Sequence, residues 1–397
     1  MASSSAAAAS SSAPSLRVLE SGGHLFPIRH AARDVGFRVV DGDDWTILWS
    51  YRTPWDTPAF KSRARELGSV RGRGSERGSS SEVGRQRRTL FNHLPGTLRL
   101  ASKAHLPDFM RASGLANATP TSFMLPEQID ELVDTLRIDR LTDASGFPRW
   151  VLKSKHHRGV RVLMNETRAG LAASAPAIVQ RRVKPLILPG LGRAFDVGIY
   201  VLVSSVRPLR VYAYDRALVR ICELPFPAAH ADFLSRPASF VINHYAPVWT
   251  IPFFETALKA CDSSAACALR RVIDASGHDG TQLWRRMEAI AARLLAHLRP
   301  HVEGGLEKLG LSPRHVFEVF RFDYMVDEHA QPVLTEVNLS PNMVAAHAED
   351  GKVKNALLRD LMRIVGTRTG SSAKSSAARE AAAESAVAGG FHRVDLA

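Results

Sequence analysis

The chain has 397 residues, 45% hydrophobic and 23% charged, an ordinary globular balance that can bury one large core or two to three smaller ones. A formal net charge of +13 favours an anionic partner: nucleic acid, a membrane surface, an acidic protein or a phosphorylated ligand. The absence of a long apolar run excludes a membrane span, and three cysteines without CxxC spacing exclude a disulfide framework or structural zinc and point to a reducing compartment.

The elements follow in chain order. Residues 1–15, MASSSAAAASSSAPS, lack the basic and Leu-rich parts of a secretory signal and are expected to be disordered. RVLESGG and GFRVVDGDDWTILWS read as short strands around a helical stretch, opening an α/β domain over 16–115. Within it, 61–88 holds nine Lys/Arg against three Asp/Glu among Gly and Ser, a basic flexible insert. In EQIDELVDTLR, the residues Ile129, Leu132, Val133 and Leu136 repeat at helical spacing. WVLKSK is a strand leading into the HHRG turn. AIVQRRV, FDVGIYVLVSS, LRVYAYD and LVRICEL form a strand-rich block. Leu283, Met287, Ile290, Leu294 and Leu298 mark an amphipathic helix over 281–298. A hairpin over Phe320–Asn342 follows, then a short helix near NALLRDLMRIV. From residue 367 an Ala/Ser-rich, low-complexity tail shows no apolar face. Mixed helices and antiparallel hairpins predict an α+β assembly of several lobes rather than a doubly wound sheet.

The hairpin FRFDYMVDEHAQPVLTEVNLSPN carries the strongest chemical signal. Alternation puts Glu336 and Asn338 on one strand face, and pairing through DEHAQP lets Asp323 share it. Two carboxylates and an amide oxygen suit a hard divalent cation, magnesium above all, whose remaining ligands are phosphate oxygens and water. Lys153 leaves its strand beside the cationic turn of Arg158 and Gly159, a place to hold phosphates. Gln180 and Arg181 lie on the next strand. Asp196 and Arg210, in the meander with Arg220, complete the candidate cofactor-binding set.

Together these stretches resemble the tubulin–tyrosine ligase-like family of the ATP-grasp superfamily. The carriers are NHLPGTLRLASKAHL with Lys103, TPTSFMLP, WVLKSKHHRG, VQRRVKPLILPGLGRAFDVGIYVLV, LRVYAYDRALVRICELPF and the hairpin, collinear over roughly residues 87–365. The resemblance implies an ATP-grasp fold, with nucleotide bound between a central lobe (116–210) and a C-terminal lobe (211–366). It implies that ATP phosphorylates a carboxylate and an amine then displaces the phosphate. It places Asp323, Glu336 and Asn338 as magnesium ligands, Lys153 on phosphate, and Gln180 and Arg181 at adenine. The expected activity is addition of a free amino acid, preferably glutamate, to tubulin or another acidic protein. Basic segments suit the acidic tails of microtubules. The setting implied is cytoplasmic, at the cytoskeleton or a cilium, with no membrane partner. RGRGSERG lacks the interleaved aromatics of an RNA-binding arm, so nucleic acid is disfavoured.

Several positions depart from the family pattern, among them Ala194 in place of a lysine. Gly198 stands where an arginine follows FDV, Arg161 replaces the second glycine of the loop, and only Asn243 remains of another element. Either Arg161 or Arg193 supplies the missing cation, or the chain is a degenerate relative that binds microtubules or ATP without turnover. A gain of activity in Gly198→Arg marks the natural chain as impaired at that site.

Overall fold

A computed structural model describes residues 13–72, 87–142, 149–154, 160–163, 167–228, 235–240, 245–370 and 375–396. Its strands form three sheets. In the first, β1 (Ser15–Val18), β2 (Arg38–Val39), β3 (Ile47–Trp49) and β4 (Leu90–Phe91) run parallel in the order β2-β1-β3-β4. The helix Phe26–Asp34 connects β1 to β2 and buries Ile28, Ala31 and Ala32. The insert expected to be flexible begins instead as a helix, Pro58–Gly72. Phe60 is buried and the Arg63 guanidinium lies 4.8 Å from the Trp45 ring centroid, so aromatic contacts hold a segment whose composition reads as loose. Residues 73–86 lie outside the described residues, as do 1–12.

His93 locks this sheet to the rest. Its Nδ1 lies 2.9 Å from Glu318 Oε2 and its Nε2 3.1 Å from the Ser50 carbonyl. Both ring nitrogens face acceptors, which favours the doubly protonated imidazolium. Burial alone would lower its pKa, but Glu318 and the Ser50 carbonyl carry it above the ordinary value. The stabilisation is therefore complete below about pH 6.5, the unfolded value, and is lost as pH rises through the raised one. Urea unfolding across that window should show a falling midpoint, and His93→Gln should flatten the dependence at a cost of roughly 1–3 kcal/mol on the acid side.

The second sheet is antiparallel, in the order β5-β8-β6-β7: β5 (Ser122–Leu125), β6 (Trp150–Ser154), β7 (Val160–Leu163) and β8 (Ala177–Arg181). With the helix Ile129–Thr142 it encloses a small core of its own, including Leu125, Leu132, Trp150, Leu171 and Val179.

The third sheet positions the site. β9 (Phe195–Val206) and β10 (Leu209–Cys222) form a long hairpin. β11 (Tyr245–Ala246), β12 (Glu318–Val326) and β13 (Pro332–Leu339) complete the order β11-β10-β9-β12-β13. The expected lobe boundary at residue 210 thus falls inside this sheet. Every residue of β9 is buried because both faces are covered. Val197, Ile199, Val201 and Val203 join a core with Leu283, Met287 and Leu294 of the 29-residue helix Gly280–Lys308. Tyr200 and Leu202 point the other way, toward Leu357 and Leu361 of the helix Ala348–Gly370. Both helices outrun their expected lengths; the first passes through Pro300 and the second is 23 residues long.

The segment beyond residue 375 also departs from expectation. Ala377–Ser385 is a helix, and β14 (Phe391–Arg393) pairs with β10. Its inward side has buried Glu380 and Glu384 in place of an apolar stripe, so hydrophobic periodicity could not find it. A second correction concerns the cysteines. Cys261 and Cys267, six residues apart, form a disulfide across a turn with positive φ at Asp262 and Ser263. That bond removes the basis for inferring a reducing compartment from cysteine usage.

Candidate active site

Four adjacent strands set polar side chains on one face of the third sheet. The register places Arg220 opposite Asp196, Gly198 opposite Asp323, Asp323 opposite Glu336, and Arg321 between Tyr200 and Asn338. Alternation then puts Asp196 and Gly198 of β9, Arg321 and Asp323 of β12, and Glu336 and Asn338 of β13 on the same side. The hairpin therefore brings Asp323, Glu336 and Asn338 together.

Charge pairs knit the row. Arg220 donates from Nε and Nη2 to both oxygens of Asp196, at 2.7 and 2.6 Å, and from Nη2 to Asp323 Oδ2 at 3.1 Å. Arg321 grips Asp323 bidentately, at 2.6 Å to Oδ1 and 2.8 Å to Oδ2. Asn338 Nδ2 donates to the same Oδ2 at 3.1 Å. Burial opposes ionisation of Asp323, but Arg321 and then Arg220 outweigh it and hold the carboxyl below the usual range. Burial, helped by the nearby Asp323 and resisted by Arg220, pushes Asp196 up to about 6.

Two lysines approach from outside the sheet. Lys103, in the loop after the helix Leu98–Ala101, places Nζ 3.4 Å from Glu336 Oε1. Lys153, at the end of β6, donates to Gln180 Oε1 at 2.6 Å, and Gln180 Nε2 in turn donates to Ser122 Oγ at 3.0 Å. Both lysines, Gln180 and Thr335 line a water-sized cavity of about 10 Å³ where the second sheet meets the third. Burial, followed by repulsion from Lys103, pulls Lys153 down to about 8 against the attraction of Glu336. A half-buried ammonium with a depressed pKa beside a second one is a site that an anion would relieve.

Other expected site residues lie elsewhere. Arg181 is on the opposite face of β8 from Gln180, 6.0 Å from the Trp150 ring centroid, and lines a separate cavity of about 560 Å³ with Arg182 and Lys184. Strand alternation makes this split inevitable for neighbours in sequence. Arg210 is ten residues along β10 from Arg220, its guanidinium buried against Glu384 at 3.0 and 2.8 Å and Glu380 at 3.3 Å. Neither expected substitute for the missing arginine joins the row: Arg161 donates to Ser174 Oγ at 3.4 Å and Arg193 to the Cys222 carbonyl at 3.4 Å. Arg158, Gly159 and Asn243 lie outside the described residues.

The donors partly match magnesium. Glu336 is a third exposed and open to a cation, and Asn338 stands beside it. Asp323 is not open, since both its oxygens already accept from guanidinium groups. Among the described residues no group of three or more His, Cys, Asp or Glu side chains is arranged to hold a metal. Asp323 therefore does not fit as a ligand in this arrangement. Sequence reasoning missed Arg321, although its i, i+2 spacing from Asp323 on a strand was the available signal.

A model described as the tubulin-tyrosine ligase family matches residues 82–373, well over half of the chain and all of the row. The chain belongs to the tubulin-tyrosine ligase family. This family member is 25% identical over 360 residues to the probable tubulin polyglutamylase ttll-15 of Caenorhabditis elegans, covering 87% of this chain and 63% of that protein. It is 25% identical over 331 residues to the tubulin monoglutamylase TTLL4 of Homo sapiens, with coverages of 82% and 25%. Against the tubulin polyglutamylase TTLL6 of Mus musculus, identity is 24% over 347 residues, with coverages of 85% and 39%. The family member thus spans under two thirds of the length of each of these relatives.

Proposed function

We propose that this chain is an ATP-dependent ligase that joins glutamate to a carboxylate of tubulin or another acidic protein. The observation that carries the reading is the convergence of Lys103 and Lys153 on Glu336, at the edge of a row already holding Arg220 and Arg321. Four cations meet three carboxylates there, and phosphoryl transfer depends on such charge placement more than on covalent help. Glutamate is favoured because the relatives compared above are described as tubulin glutamylases. The net charge of +13 suits an acidic acceptor.

In this reading Lys153 and Lys103 hold the nucleotide phosphates across the ATP-grasp cleft, while Arg220 keeps Asp196 and Asp323 in place. The acceptor carboxylate takes the γ-phosphoryl group and ADP departs. The glutamate amine then attacks the acyl carbon, losing a proton as phosphate leaves and the amide forms. Magnesium would be held by Glu336 and Asn338 together with the nucleotide's own oxygens, where it shields phosphate charge. The setting is cytoskeletal; among the described residues no helix is long and apolar enough to cross a membrane.

The test is incorporation of labelled glutamate, glycine or tyrosine into microtubules with ATP and magnesium. Glutamate should enter, and Glu336→Gln should lower its rate by about 10²-fold or more. A second reading, binding without turnover, is favoured by one observation: Asp323 is saturated by guanidinium groups. Microtubule binding with no incorporation of any amino acid would select it.

A further inference from the structure

Gly198 marks a place where the sheet has no room for a side chain. A Cβ built there would lie 2.9 Å from Arg321 Cδ and 2.9 Å from Asp323 Oδ1, with Arg321 Cγ at 3.2 Å. These distances are well inside van der Waals contact, and φ at Gly198 is not in the left-handed region. The glycine therefore serves space and not backbone conformation. What fills the space is the Arg321 stem, which crosses from β12 over the neighbouring strand to deliver its guanidinium to Asp323. Beside it, Tyr200 faces Arg321 in the register and buries a hydroxyl that lacks a hydrogen-bond partner among the described residues.

We infer that Arg321 is the positioning cation of this site, and that residue 198 is glycine to admit it. The inference rests on the ligase reading for its functional half. A cation that the family pattern puts on β9 is supplied from the neighbouring strand. Arg321 keeps Asp323 ionised and turned into the sheet. Glu336 is thereby left as the carboxylate that meets an incoming metal–nucleotide. Position 198 and position 321 form one unit: an arginine fits at either, and not at both.

The unit is tested by exchange. Gly198→Arg, Arg321→Gly, the double variant and Arg321→Lys are compared for thermal unfolding and for binding of a fluorescent ATP analogue with and without magnesium. Each measurement is made below the variant's melting transition. Gly198→Arg alone should melt earlier and bind the analogue at least about 10-fold more weakly, because the clash displaces the Arg321–Asp323 pair. Arg321→Gly alone should weaken binding similarly, and Arg321→Lys, which keeps the charge but loses the fork, should fall between. The double variant should regain both stability and binding to within about 3-fold of the parent. Three results overturn the inference: a Gly198→Arg chain as stable and tight-binding as the parent, a double variant no better than the worse single, or recovery of stability without recovery of binding. A parent chain that binds no nucleotide would instead sink the ligase reading. The unfolding cycle would still report whether 198 and 321 are coupled, and its failure there would sink the inference too.

Discussion

Replacing Arg210 with methionine is expected to lower the unfolding free energy by about 3–5 kcal/mol while leaving nucleotide affinity unchanged. Arg210 is fully buried on β10 and holds Glu384 through Nε and Nη2 and Glu380 through Nη2. Glu384 also accepts from Ser204 Oγ at 2.7 Å and Tyr212 Oη at 3.0 Å, while Arg88 reaches Glu380 at 2.9 Å. Removing the central guanidinium leaves two carboxylates short of counter-charge in a dry interface, which costs more than the loss of any one hydrogen bond. The helix Ala377–Ser385 should detach first, so proteolysis near residues 371–376 should accelerate along with the shift in the urea midpoint. A cofactor-binding role for Arg210, as read from its strand, requires the reverse pattern: stability kept and nucleotide binding lost.

Lys153→Met should act in opposite directions on binding and on stability. Nucleotide affinity near neutral pH should fall by about 10²-fold, the worth of a charge-assisted contact in a partly dry site. Stability should rise at the same pH, because burial beside Lys103 makes the ammonium unfavourable in the empty site. Unfolded, the lysine keeps its proton to about 10.4; folded, only to about 8. The advantage of the neutral amine is thus complete above the unfolded value and is lost as pH falls through about 8, the folded one. Affinity of the parent chain for nucleotide should weaken as pH rises through that same folded value, and the methionine variant should show no such step. Isothermal titration across the range, paired with denaturant unfolding, reads both effects on one protein.

Gly198→Arg separates two views of the molecule. Sequence comparison alone makes it a gain, since it restores a family cation. The structure makes it a loss unless Arg321 is removed with it, since both side chains claim one volume.

Much of the site was legible in the chain itself. The alternation of VLTEVNLS is a local property of one strand, and a short polar turn leaves few ways to pair it with FRFDYMV, so Asp323, Glu336 and Asn338 had to share a face. The same locality reveals the 3.6-residue repeat of the helix Gly280–Lys308. Motif order over residues 87–365 pointed to the family independently of geometry, and the family match over 82–373 agrees with it.

Tertiary structure decided the partners of the buried charges. Arg210 and Glu384 are 174 residues apart, and Arg220 and Asp323 are 103 apart. No periodicity connects such pairs; only the docking of a helix or the stacking of four strands brings them within hydrogen-bond reach. Composition therefore read the segment from residue 367 as a tail and gave Arg220 no partner. Buried, those same charges hold the C-terminal helix in place and organise the site, because in a dry interior a charge is tolerated only where its counter-charge has been delivered.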